Sequence, residues 1–367
     1  MAVSVCRILS LHRTLPALLA AIPVGCMMCV ASLPAAEPAT KRVYQNRLTP
    51  ISASEPILGD HPEFVGPIEE VARFQAPPLI EDEKANLSVR AWRYSYHARG
   101  IIEIPNRLRG DQTALIVVHP WGIDDGQGWK TPEPAGCAFQ CTPVKNQIYR
   151  EHARQVVSPM VESLRGEVSL VMFSLPGRED AIRKKLYRSI RGRPTEAERR
   201  QGQQELTATL NRFSYRGQTV AQEIVLSADN TVLDYFRQFP GLDAGAKYNG
   251  AGFWELPIPV VKDIQVVPDD IVIYDAEGYA LLRNFLKESG IRHVLLAGYN
   301  TDKCVRGTCA GYSNLKGDFN VLLVGDATIA TFPGNASSGA ATTAAVSAAA
   351  LNMLITQVSW IQSLDER

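Results

Sequence analysis

From residue 113 onward the chain alternates short, wholly apolar runs with longer segments in which apolar residues return every three or four positions. The runs are "TALIVVHP" (113–120), "EVSLVMFSLPG" (167–177), "DDIVIYD" (269–275), "IRHVLLAGY" (291–299) and "FNVLLVGDA" (319–327). Each is short and unbroken, as expected of parallel strands buried on both faces. Between them, "QIYREHARQVVSPMVESLRG" reads as an amphipathic helix ending at Gly166, and "AEGYALLRNFLKESG" as one closed by Gly290. "TDKCVRGTCAGYSNLKG" (301–317) reads as a further helix, and the Ala-rich stretch 337–364 as a C-terminal one. Strand and helix in alternation predict an α/β fold: a Rossmann-like three-layer α/β/α sandwich around a mainly parallel sheet.

Two regions break the rhythm. Residues 37–110 form an irregular N-terminal extension rich in Pro, Glu and Ser at its start. Within it, "LSVRAWRYSYHARGIIEIP" alternates and predicts one or two edge strands. Residues 178–256, opening with the basic "REDAIRKKLYRSIRGRPTEAERRQGQQELTATL", read as a long, partly helical insertion that caps the site. Its charges fit a solvated helix face better than an anion-binding surface. The main domain then spans 111–367.

Composition narrows the function classes. Lys plus Arg and Asp plus Glu are equal at 38 each, so no global field draws the chain to nucleic acid or an anionic membrane. Arg7, His12 and Arg13 precede the apolar run "LPALLAAIPVGCMMCVASLPAAEPA". Residues 1–36 therefore read as a signal peptide, cut near Ala35–Ala36, and the expected location is periplasmic or secreted. No stable membrane anchor is expected, because Pro16 and Pro23 interrupt a run already short for one. Cleavage leaves Cys137, Cys141, Cys304 and Cys309. The first pair lies in one loop and could bridge, whereas five-residue spacing on a helix separates the second pair.

In parallel sheets the reacting groups collect at the carboxyl edge of the strands. His119, Tyr274 and the turn leading to Cys304 all fall there. Thr301 or Asp302 can cap the helix after Asn300, which puts Cys304 in its first turn. Free N–H groups and the dipole at that point favour a thiolate and could hold an oxyanion. The plain alternative is a small buried residue packing helix on strand. For His119 it is a neutral core histidine, and for Tyr274 a strand-end aromatic packed under the insertion.

"GYNTDKCVRGTCAGYSNLKGDFNVLLVGDATIAT" resembles the signature of the isochorismatase-like cysteine hydrolases, which include nicotinamidases, N-carbamoylsarcosine amidases and isochorismatases. The resemblance is strongest over 293–331. It implies the sandwich fold, a small-molecule substrate with an amide or related C–N bond, and Cys304 as nucleophile. It also admits a homo-oligomer. The family's catalytic set is an Asp ending the first strand, a Lys ending the third, and the Cys. Here His119 stands at the Asp position and Tyr274 at the Lys position. His119 could serve as base and later protonate the leaving group, and Tyr274 could donate a hydrogen bond. Asp124 or Asp125 could supply the missing carboxylate. Asn300, Thr301, Trp121 and Asp124 are the candidate substrate contacts. No Asp-x-His metal pair or Gly-rich phosphate loop occurs, so no cofactor is expected. The competing reading is a catalytically inactive member kept as a binding or structural protein.

Overall fold

The computed structural model describes residues 41–120 apart from 54, 67, 69, 70 and 98, together with 143–212, 223, 225–236, 257, 260–261, 263–331, 339, 342, 346–349 and 353–364. The leader, Trp121, Asp124, Asp125, Cys137 and Cys141 lie outside these residues. Residues 45–367 make one compact unit. Its strands are β1 (Thr49–Ile51), β2 (Ala72–Gln75), β3 (Leu87–Ser95), β4 (Gly100–Leu108), β5 (Thr113–Val118), β6 (Leu170–Leu175), β7 (Ile271–Tyr274), β8 (His293–Tyr299), β9 (Asn320–Ile329), β10 (Leu354–Thr356) and β11 (Ile361–Ser363). They join in one sheet ordered β1-β2-β4-β3-β10-β9-β8-β5-β6-β7, with β11 paired to β3. The stretch from β10 to β7 is parallel throughout.

Every residue of β5, β7 and β8 is buried, which is why these runs carry no polar alternation. The helices are α1 (Pro143–His152) and α2 (Ser158–Leu164), joined by the π-turn Ala153–Val157, then α3 (Ala181–Leu186), α4 (Glu196–Arg212), α5 (Val232–Phe236), α6 (Tyr279–Glu288), α7 (Cys304–Gly307) and α8 (Tyr312–Leu315). From β5 the chain moves to β6 on one side, and from β8 to β9 on the other. Right-handed crossovers therefore place α1–α2 on one face of the sheet and α6 with α7 and α8 on the opposite face. Tyr279 Oη donates to Asp318 Oδ2 at 2.7 Å, tying α6 to the segment after α8. The reversal between β5 and β8 is the point where open α/β sheets form their ligand crevice.

Three expectations are corrected. β3 lies inside the sheet, between β4 and β10, rather than at an edge, because β1 and β2 extend the sheet beyond β4. The lead-in likewise contributes Ile57, Leu58, Phe64 and Val65 to the core. The C-terminal segment is not one helix. Residues 346–349 are helical, but β10 then pairs in parallel with β9. The β-branched Ile355, Thr356, Val358 and Ile361 prefer a pleated surface to a helix, and two of them bury fully there. The third correction concerns residues 301–317 and belongs to the site.

Gly298 lets the two central strand ends meet. Its φ is +107°, and a Cβ there would lie 2.0 Å from the Val118 carbonyl oxygen and 2.5 Å from the Val118 nitrogen. Gly298 and Val118 are register partners. Gly298→Ala should therefore destabilise the fold by more than about 3 kcal/mol, measured by urea unfolding, since backbone on both sides must shift. A change under about 1 kcal/mol would show that the strands part easily.

Asp326, on β9, ties the tail down: both carboxylate oxygens accept the Val358 N–H, at 3.0 and 3.1 Å. Burial pushes its carboxyl up to about 7, and the nearby Asp60 charge adds to this against the backbone hydrogen bonds. The native state then holds a proton that the unfolded chain has released, so stability falls as pH rises from about 4 to about 7. Asp326→Asn should flatten that slope in thermal unfolding across this range; an unchanged slope would assign it to another group.

Candidate active site

β5 ends at Val118, and His119 follows with a left-handed backbone, φ +50°. Its N–H still donates to the Ser174 carbonyl on β6 at 2.8 Å, so the turn of the backbone re-aims the side chain without losing the sheet's edge bond. Non-glycine residues adopt this conformation sparsely, and they do so most often where a site demands it. The imidazole is 6% exposed, and its Nε2 lies 2.9 Å from Asp275 Oδ2. Asp275 is the first residue beyond β7. Cys304 also acts on the ring, through its charge and hydrogen-bonding capacity.

These contacts settle the charge of the imidazole. Burial is the largest single influence and pushes the pKa down. The hydrogen bonds to Asp275 and Cys304, with the negative charges of both groups, outweigh it and raise His119 to about 9. Near neutral pH these influences favour the imidazolium over a neutral core histidine. Its positive charge faces a carboxylate on one side and a thiol on the other.

The segment carrying Cys304 differs from the single helix expected over 301–317. It forms two four-residue turns, α7 and α8, with Cys304 the first residue of α7. Gly311 explains the break: a Cβ there would meet the Gly307 and Thr308 nitrogens at 2.8 Å, so the chain doubles back on itself. Lys303 holds the cap position and makes no side-chain cap bond. Thr301 and Asp302 anchor the turn to the end of β9 instead. Thr301 N donates to the Ile329 carbonyl at 3.1 Å, its hydroxyl lies 2.6 Å from that of Thr328, and Asp302 Oδ1 accepts the Thr331 N–H at 2.9 Å. A single turn sums few peptide dipoles, so the imidazolium, not a macrodipole, supplies the positive charge beside the sulfur.

The other expected residues are placed as follows. Asn300 frames the turn: its backbone carbonyl accepts the N–H groups of Lys303 and Val305, at 3.0 and 3.1 Å, and its side-chain amide Nδ2 donates to Tyr149 Oη. Tyr274 is 1% exposed beneath the Arg183 guanidinium, which sits 4.8 Å from the ring centroid. Arg183 is itself buried, held by Asp180, the N-cap of α3. The basic run of the insertion is thus not solvated throughout. Among the described residues no cluster of three or more His, Cys, Asp or Glu could hold a metal ion.

Asp275 was not among the candidates. The signal was present in "DDIVIYD", whose last acid lies at the same carboxyl edge as His119, one residue beyond the tyrosine. Two further groups reach the same carboxylate. Ser174 Oγ donates to Asp275 Oδ1 at 3.5 Å, and Cys309 Sγ to the same oxygen at 3.6 Å. Cys304 and Cys309 are both free thiols.

Residues 200–362 match the isochorismatase domain family, a span that includes Asp275 and Cys304 but not His119. A search of curated proteins found no match. Among solved structures, the isochorismatase family protein from Desulfovibrio vulgaris subsp. vulgaris str. Hildenborough aligns at 14% identity and TM-score 0.32, over 68% of this chain and 95% of that one. The pyrazinamidase of Pyrococcus horikoshii in complex with zinc aligns at 17% identity and TM-score 0.32, over 67% and 99% respectively.

Proposed function

We propose that this chain, whose residues 200–362 match the isochorismatase domain family, is an exported hydrolase cleaving an amide or related C–N bond of a small molecule through Cys304. The observation that carries the proposal is the 2.9 Å bond between His119 and Asp275, on an imidazole whose protonation Cys304 also favours. A carboxylate, an imidazole and a thiol in that sequence make a nucleophile, its acid–base partner and the group that orients the partner. The family's Asp and Lys positions have changed, and the same two strand ends supply different groups for the same tasks.

In this mechanism the Cys304 thiolate attacks the substrate carbonyl carbon. A C–S bond forms, and the carbonyl π pair moves to oxygen. The N–H groups of Lys303 and Val305 are given to the Asn300 carbonyl, and the N–H of Cys304 between them would serve as the backbone donor to that oxyanion. The His119 imidazolium passes its proton to the leaving nitrogen as the C–N bond breaks, leaving a thioester on Cys304. Neutral His119 then takes a proton from water, the hydroxide adds to the thioester, and the C–S bond breaks to return thiolate, imidazolium and a carboxylic acid. Asp275 keeps the ring oriented throughout. Thr301 and Asp302 fix the turn that presents the sulfur.

Tyr274 has no chemical part in this scheme. Its hydroxyl is buried without a hydrogen-bond partner among the described residues. Tyr274→Phe should leave turnover within about twofold of the parent and cost no stability, because an unsatisfied buried hydroxyl contributes nothing that its removal loses. A loss of tenfold or more would return Tyr274 to the reaction.

The proposal is tested by incubating the protein with a panel of small primary amides and N-carbamoyl compounds. Ammonia release and an acyl adduct on the Cys304 peptide are expected. An enzyme that releases ammonia equally well as Cys304→Ala would refute the covalent route.

A further inference from the structure

Asp275 can orient His119 only if its own carboxylate is held, and the catalytic scheme leaves that unexplained. Oδ2 is taken by His119 at 2.9 Å. Oδ1 lies 3.6 Å from Cys309 Sγ and 3.5 Å from Ser174 Oγ. Cys309 is also 3.7 Å from the Tyr274 carbonyl, the backbone acceptor immediately before Asp275. The single S–H of a thiol placed between a residue's carboxylate and its preceding carbonyl can donate to either acceptor, linking side chain and backbone at that point. Ser174 is the register neighbour of Val118, so its hydroxyl stands next to the strand end that carries His119.

Resting on the hydrolase reading above, we propose that Cys309 is a positioning residue: its thiol, with the Ser174 hydroxyl, holds Asp275 Oδ1 so that Oδ2 stays aimed at His119. Hydrogen bonds of this kind are what keep a catalytic constellation within a fraction of an ångström of its working geometry. Cys309 suits the task because it remains a neutral donor. Burial and the neighbouring Asp275 charge push its thiol up to about 12, so it neither ionises against the carboxylate nor competes with Cys304 as a nucleophile. The two cysteines five residues apart thus divide the work, one reacting and one holding the acid of the triad in place.

The experiment compares Cys309→Ser, Cys309→Ala and Cys309→Val with Asp275→Asn in the full chain. Two readouts are used: the rate of iodoacetamide labelling at the Cys304 peptide at neutral pH, and the downfield proton resonance of the His119–Asp275 hydrogen bond. Serine keeps a donor, whereas valine fills the volume without one, so a cavity effect of alanine is separated from loss of the bond. Cys309→Val and Cys309→Ala are expected to slow labelling on the order of tenfold and to lose the resonance, and Cys309→Ser to keep both. Retention of both signals by Cys309→Val overturns the inference, as does failure of Cys309→Ser while all variants remain folded. Asp275→Asn separates the two levels of the argument. If it loses both signals while Cys309→Val keeps them, only the positioning role falls; if Asp275→Asn also keeps them, the hydrolase reading itself fails.

Discussion

Asp275→Asn should lower turnover by about 10³- to 10⁴-fold, the scale of loss when the orienting carboxylate of an acid–base histidine becomes an amide. The amide cannot supply the charge that helps hold His119 as imidazolium. It can also present an N–H to Nε2, which reverses the hydrogen bond and disfavours the protonated ring. Both effects remove the proton that the leaving nitrogen needs. The pH profile separates this from a loss of folding. In the parent, activity should fall as pH rises through about 9, where His119 loses its proton. The Asp275 bond and charge both raise that value, so in Asp275→Asn the falling limb moves to lower pH. A variant with an unchanged limb and near-parental turnover would remove Asp275 from the site.

Cys304→Ala has the larger effect, with turnover reduced to the level of the uncatalysed reaction aided only by binding. Among the described residues no second thiol can replace it. Cys309 is buried, and its sulfur is engaged by Tyr274 and Asp275. The same substitution should leave the fold intact, because Cys304 is only half-buried and its backbone carbonyl, which accepts from Thr308, is retained. The change in unfolding free energy should stay below about 1.5 kcal/mol. Mass spectrometry of the substrate-treated protein provides the check: the parent carries an acyl adduct at Cys304, and the variant carries none.

The parallel half of the sheet was legible because its strands are buried on both faces, and such strands announce themselves as unbroken apolar runs. Periodicity said less about the rest. β1 and β2 are three and four residues long, too short for a pattern, and only pairing with β4 reveals them. The tail at 354–363 was masked by the alanine-rich stretch before it, although its β-branched residues carried the strand signal. In the site, Cys304 and His119 were legible from their place at the strand ends. Asp275 was not, because the family resemblance aligns the lysine position with Tyr274, one residue earlier. A one-residue step across a strand end moves a side chain from the core to the crevice. Tyr274 faces Arg183, and Asp275 faces His119. The turn at 301–317 was misread for a different reason: helical composition could not show that Gly311 must lie against the backbone of Gly307 and Thr308.

In the proposed reaction the Cys304 sulfur acts beside a charged imidazole. The rate of iodoacetamide labelling at the Cys304 peptide between about pH 6 and about pH 8, in the parent and in His119→Ala, tests this most directly. The parent should label faster than His119→Ala across this range, since the imidazolium beside the sulfur favours the attacking anion. Equal rates for the two proteins would contradict it.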